Sequence, residues 1–413
     1  MTASDADWIH DWNAPESGTA KGPPRTVELN DETLRDGLQS PSAKAPPLQA
    51  KRDFLHILCD LGVTSVDIGM PASGVQALGD AVLLAKEIVR HRLPLRPNCA
   101  ARTVSKDIRP IIEISQRAGT AVEVAAFLGC SAARRRVEGW DIAHLLKLTR
   151  DSVSLAVRAG LPVMFVTEDT TRTHPDILSE LYRAAIESGA RRICAADTVG
   201  HATPQGAERL LAFLRALARS SGEDVAVDWH GHMDRGLGLV CTLAAWSAGA
   251  DRLHGSALGL GERVGNAPLD LVILNLKLMG GWPRDVARLT DYVAWTSRWT
   301  GIPIPWNYPV FGQDAFRTGT GVHASALLKA RQMGDARLED LMYSAVPASW
   351  VGRRQTIEVG PMSGDANIVA WLQDHREEVN QERVAAIRRL AKESDTMLSD
   401  DDIFDLLQRL EEP

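Results

Sequence analysis

From Thr26 to about Gly280 the chain repeats one pattern. A stretch with apolar residues at helical spacing ends in a small residue and glycine, and a short apolar run follows at once. Examples are LGVTSVDIG from Leu61, AGTAVEVAAF from Ala118, AGLPVMFV from Ala159, SGARRICAAD from Ser188 and AGADRLHGSA from Ala248. Glycine just past a helix supplies the left-handed residue that ends it, and a bounded apolar run of this length suits a buried strand. Runs near Val27, Leu95 and Val225 bring the strands to eight, with helical stretches such as Ala81–Arg90, Ile142–Val157 and Pro175–Glu187 between them. Eight β/α units over about 255 residues predict an α/β protein, a (β/α)8 TIM barrel. An open doubly wound sheet would want G-x-G-x-x-G after its first strand; here that strand runs into DETLRDGLQ.

A barrel carries its chemistry on the C-terminal ends of the strands. The run Val225–Trp229 ends in His230-Gly231-His232, and residues two apart on a strand point the same way. The next strand, Arg252–Ala257, enters the turn LGLGERVGN, which carries Gly259, Gly261, Gly265 and Asn266. The plain reading is two satisfied polar histidines and an ordinary glycine loop. The first strand tips the balance: it ends in Arg35, Asp36 and Gln39. Asp36, His230, His232 and Asn266 together make a mixed oxygen and nitrogen set. It suits Mg, Mn or Zn with open positions rather than a closed structural zinc site. The other ends are polar or turn-like too: Asp67–Pro71, Asn98 and Arg102, Gly129–Ser131 followed by Arg134–Arg136, Glu168–Arg172, and Asp197–Pro204. Thr203 also suits an N-cap for a helix starting at Pro204, and Arg134–Arg136 a solvated face.

Composition narrows the field. Net charge of −7 and a pI near 5.9 argue against a nucleic-acid surface. Five cysteines without C-x-x-C spacing read as reduced and mostly buried. No apolar run reaches membrane length and no signal peptide opens the chain, so the expectation is a cytoplasmic protein without a membrane partner. Residues 1–24, polar but with Trp8 and Trp12, read as a tail or arm.

DETLRDGLQ, HGHMDRG and GLGERVGN, in this order, resemble the signatures of the DRE-TIM metallolyase family, in its 2-isopropylmalate, homocitrate and citramalate synthase branch. The resemblance spans about residues 25–400. It implies a barrel over 25–285, a linker and first subdomain over 286–330, a helical second subdomain over 331–413 and no regulatory domain. The proline-rich stretch Ile302–Pro309 is the linker, Trp282–Trp299 reads as a helix, and Val379–Lys392 and Asp400–Leu410 read as amphipathic helices. The lyase branch has a reactive cysteine in the loop after the eighth strand; this chain has none there, which favours the synthases.

The resemblance implies condensation of acetyl-CoA with a 2-oxo acid, 2-oxoisovalerate first, giving 2-isopropylmalate. Homocitrate, citramalate or another 2-alkylmalate synthase and a carbon–carbon lyase are the alternatives. Arg35 would stabilise the developing alkoxide and Thr198 would bind the acceptor's carboxylate. Gln39, Arg102 and Arg134 would complete the substrate site, and His323 would be the base, or part of a relay with Glu168 and Tyr343. The synthases are homodimers in which the segment carrying this histidine crosses to the partner's site. Departures from the family pattern are Met233 for Asn, Glu123 and Arg134 where His is frequent, His201 for Tyr and Asp67 for Glu. They put the acceptor's side-chain pocket in question and raise an anionic or aromatic 2-oxo acid as the alternative acceptor. A barrel that had become a mere scaffold would be expected to have lost one of Arg35, Asp36, His230, His232 or Asn266; all are present.

Overall fold

Each apolar run is short and mostly buried, so it needs a strand on both sides. The chain meets that need by closing eight parallel strands on themselves in sequence order, β1 pairing with β8. The computed structural model describes residues 9–10, 12–13 and 25–412, so most of the expected N-terminal tail lies outside the described residues. The elements run β1 (Glu28–Asp31), α1 (Leu48–Leu61), β2 (Ser65–Asp67), α2 (Val75–Arg90), β3 (Arg96–Arg102), α3 (Ser105–Ala118), β4 (Glu123–Gly129), α4 (Ala132–Glu138) and α5 (Ile142–Arg158). Then come β5 (Val163–Glu168), α6 (Pro175–Glu187), β6 (Arg192–Asp197), α7 (Pro204–Ser220), β7 (Ala226–Gly231), α8 (Gly238–Ser247), β8 (Arg252–Gly255), α9 (Leu269–Leu278) and α10 (Leu289–Thr300). The expected barrel is present. Gly62 and Gly119 end their helices at φ of 82° and 71°, the left-handed residue that the small-residue–glycine pattern implied.

One boundary differs. The helix expected from Trp282 begins only at Leu289. Pro283 disfavours helical backbone at Trp282, and the Asp285 carboxylate accepts from the Ala287 N–H at 3.0 Å in a local turn.

The chain divides into two compact units, 1–303 and 304–413. The second holds β9 (Arg317–Thr318), α11 (Gly321–Gln332), α12 (Ala336–Leu341), β10 (Thr356–Ile357), α13 (Asp365–Asp374), α14 (Gln381–Glu393) and α15 (Asp400–Glu411). The two last amphipathic helices bury Ile387, Ala391, Ile403 and Leu407 against Trp371 and Leu372 of α13, inside their own unit. All five cysteines are free thiols, four of them buried. Among the described residues no helix is long and apolar enough to cross a membrane.

A barrel interior is ordinarily filled with Val, Ile and Leu. Here the end away from the mouth is ionic. Asp228 accepts from Arg192 Nη1 at 2.6 Å and Arg252 Nε at 2.7 Å, and Arg252 reaches Glu123 at 2.7 Å. Removing one member of such a buried set costs about 3–5 kcal/mol, because its partner stays charged and unpaired.

Asp31 is a different case. It is fully buried, and its acceptors are used by the Thr33 N–H, the Thr33 hydroxyl and the Tyr292 phenol. Burial pushes its pKa up to about 7, against the pull of those hydrogen bonds. The folded value lies above the unfolded one of about 4. Its stabilising contribution is therefore complete below that value and is lost as pH rises through about 7. Asp31→Asn keeps the shape without the titration. Its urea midpoint relative to the parent should improve between pH 4 and pH 8; a difference that does not move with pH would contradict this.

Candidate active site

Strand alternation brings His230 and His232 to one face at the end of β7, with Nε2 atoms 3.1 Å apart. Asp36 comes from the tight turn after β1. Its Oδ2 lies 3.5 Å from His230 Nε2 and 3.9 Å from His232 Nε2. His232 Nδ1 sits 3.2 Å from the Gly265 carbonyl, which can only accept, so this nitrogen carries the proton and Nε2 keeps its lone pair toward Asp36. Gly265 cannot be replaced there. Its φ is +92°, and a Cβ would lie 1.8 Å from the Gly259 carbonyl. Asn266 forms a backbone bridge with His232 and donates its amide to the Leu260 carbonyl at 2.8 Å. Its Oδ1 is buried with no hydrogen-bond partner, an acceptor left open.

Burial would raise Asp36, but Arg35 and the two imidazoles outweigh it and hold the carboxyl well below its usual range. Burial, and then the neighbouring His230, pushes His232 down to about 4, so it is neutral at pH 7. An ionised carboxylate, a neutral imidazole with an aimed lone pair, a second imidazole and an open amide oxygen fit a divalent cation. The first three offer ligand atoms within 4.8 Å of one another.

Arg35 sits among three carboxylates. Its Nε donates to Asp67 at 2.8 Å, another nitrogen pairs with Glu32, and Nη1 lies 3.3 Å from Asp36. Burial, partly offset by Arg35 and reinforced by Glu32, raises the Asp67 pKa. Glu32 also accepts from His254 Nδ1 at 2.9 Å, whose Nε2 is 3.0 Å from Asp228. With a carboxylate at each nitrogen, His254 needs both protons. Burial opposes that, but the two carboxylates raise its pKa. The mouth is thus tied to the ionic cluster below.

Most of these groups border one cavity of about 430 Å³; Asn266 is not among its lining residues. Eight of the site residues expected from sequence line it together: Arg35, Asp36, Gln39, Arg134, Glu168, Thr198, His230 and His232. The Thr198 hydroxyl accepts from the Asp169 N–H at 2.7 Å, leaving its proton to donate. Burial raises Glu168, partly offset by Arg134, whose Nη1 is 4.0 Å away. Arg102 is not where it was expected. It forms a bidentate pair with Asp107 in the first turn of α3, at 2.6 and 3.0 Å, and does not line the cavity. Thr203 caps α7, accepting from the Gly206 N–H at 3.1 Å. His323 and Tyr343 belong to the second unit, where their rings stack at 4.0 Å.

Sequence reasoning left out Glu32, His254 and Arg263 as site residues and took Asp67 only as a polar strand end that departs from the family pattern. Arg263 lines the cavity and bridges Asp234 and the Thr198 carbonyl. The signal for Glu32 and Arg263 was their place inside the strand-end motifs; that for His254 was its parity with Arg252 on β8.

Residues 26–294 match the family model described as HMGL-like. Over 381 residues the chain is 32% identical to a homocitrate synthase of Methanopyrus kandleri, covering 89% of this chain and 88% of that one. Over 362 residues it is 30% identical to a 2-isopropylmalate synthase of Methanocaldococcus jannaschii, covering 87% and 65%. Among solved structures, the HMG-CoA lyase of Bacillus subtilis has a TM-score of 0.57 at 22% identity, covering 68% of this chain and 96% of that one, which speaks for the shared fold. With the barrel in place and the motifs at its mouth, the chain belongs to the HMGL-like family, the DRE-TIM metallolyases.

Proposed function

We propose that this chain is an acyltransferase: it joins the methyl carbon of acetyl-CoA to the keto carbon of a 2-oxo acid and then hydrolyses the thioester. The carrying observation is a single cavity in which Arg35 stands beside Asp36, His230 and His232. The names of the relatives, homocitrate and 2-isopropylmalate synthase, support the same reading. 2-Oxoisovalerate, giving 2-isopropylmalate, is the reference acceptor. A lyase like hydroxymethylglutaryl-CoA lyase is the competing reaction, and the cysteine-free loop 256–266 speaks against it.

Asp36, His230, His232 and Asn266 would hold one Mg, Mn or Zn ion. Bound there, the ion supplies Lewis-acid polarisation of the acceptor's keto group. The chain's own residues do the rest. Glu32 and Asp67 pin the Arg35 guanidinium, so it pays little reorganisation when charge develops on the former keto oxygen. The Thr198 hydroxyl, its lone pair engaged by Asp169, donates to the acceptor's carboxylate. His323, alone or in a relay with Glu168 and Tyr343, takes a proton from the acetyl methyl group. The resulting carbanion forms the carbon–carbon bond, the keto π pair becomes an alkoxide and is protonated, and water displaces coenzyme A as free thiol.

Chelator-treated protein should release no thiol from acetyl-CoA and a 2-oxo acid, and added Mn or Mg should restore release. Asp36→Asn should lower metal content and activity at least as far as the roughly 100-fold that outer-shell changes reach. Full activity after chelation would contradict the metal assignment.

The direction of reaction and the base have their own test. Hydroxymethylglutaryl-CoA should not be cleaved; efficient cleavage without condensation on any 2-oxo acid would reverse the choice. His323→Ala should lower kcat by about 10²–10⁴-fold while metal content holds, the range of a lost acid–base group. We further propose a homodimer. Mixing inactive Arg35→Ala and His323→Ala proteins under subunit exchange should restore activity; a dead mixture with proven heterodimers would refute shared sites.

A further inference from the structure

The cavity has two unlike halves. The side built from β1, β2, β7 and β8 presents Glu32, Asp67, His230, His232 and His254. The side built from β3 to β6 presents Ala100, Ala125, Met164, Cys194 and Ala196, with Phe127 and Val166 beside them and with Arg134, Glu168 and Thr198 at or just past the strand ends. These are neighbours in the sheet: Ala100 is in register with Ala125, Ala125 with Met164, and Val166 with Cys194. Ala125, Met164 and Cys194 pack as one apolar cluster. Below them Met164 Sδ touches Arg252 Nη2 at 3.1 Å, so the cluster lies on the ionic floor.

Barrels fill such inward positions with Val, Ile and Leu. Alanine or cysteine at four of them leaves room that Val, Ile or Leu would fill, bounded by Met164 and Phe127. The recess is also short of free positive charge. Arg134 is faced by Glu138 at 3.0 Å and Glu168 at 4.0 Å, Arg263 by Asp234 at 2.8 Å, and Arg35 by three carboxylates. A second carboxylate on the acceptor would be desolvated there without a partner, which is costly.

We propose that the acceptor is a monocarboxylic 2-oxo acid with an apolar side chain larger than isopropyl, aromatic or extended branched, seated between β3 and β6. This rests on the function proposed above and narrows it.

The full-length protein loaded with Mn is given acetyl-CoA and a panel of acceptors: phenylpyruvate, 4-methyl-2-oxopentanoate, 2-oxoisovalerate, pyruvate and 2-oxoglutarate. Thiol release is followed. One or both of the first two should exceed 2-oxoisovalerate in kcat/KM by about tenfold or more, the low end of what a methylene is worth in an apolar pocket. 2-Oxoglutarate should fall furthest behind. Ala125→Leu and, separately, Ala196→Leu fill the recess; the ratio of kcat/KM for the bulky acceptor to that for pyruvate should drop at least tenfold. The wild-type panel decides even if a filled variant fails to fold. Preference for 2-oxoisovalerate, pyruvate or 2-oxoglutarate overturns the inference and leaves the condensation standing. Thiol release with none of the five overturns the proposed function, and this inference with it.

Discussion

One guanidinium shared by three carboxylates sets the geometry of the mouth. Arg35 binds Glu32 and Asp67 and lies 3.3 Å from Asp36, so the turn after β1 and the end of β2 are locked to each other. Glu32 passes the constraint on to His254, His254 to Asp228, and Asp228 to Arg192 and Arg252. Charges of alternating sign thus run from mouth to base. Buried singly, none of them would be tolerated. Buried as a chain, each is the other's counter-ion, and loss of one exposes the next. The column depends on register. The pairing of Asn30 with His254 and Asp31 with Gly255 sets Glu32 beside His254, and a slip by one residue would turn these side chains outward.

Much of this was legible from sequence because it is local. A barrel strand ending in H-x-H fixes two imidazoles on one face by pleat alone, and D-x-T-L-R-D-G places a carboxylate and a guanidinium in one tight turn. What stayed hidden depends on partners the pattern does not name. Arg102 sits at a strand end, as a ligand for substrate would, but Asp107 lies five residues on, in the next helix's first turn, and takes it. Trp282 fits a helical period, but Pro283 shifts the start to Leu289. The inward charges Asp228, Arg252 and His254 lie within apolar runs, and only the closed sheet shows that they face one another.

The second unit poses a separate question of strain. Tyr343, half exposed, holds a φ of +57°, in the left-handed region that bulky residues avoid, while its ring stacks on His323. Such outliers persist where their surroundings or their function require them, and they cluster at functional sites.

The assignment of the ion to the upper set of ligands is the hinge of the whole account, since Glu32, His230 and His254 form a second cluster with metal-like spacing lower in the barrel. Anomalous scattering from crystals grown with Mn separates the two directly. A single strong peak ligated by the Asp36 carboxylate, His230, His232 and the Asn266 oxygen is the expected result. A peak between Glu32, His230 and His254, or no peak in the barrel at all, would contradict it.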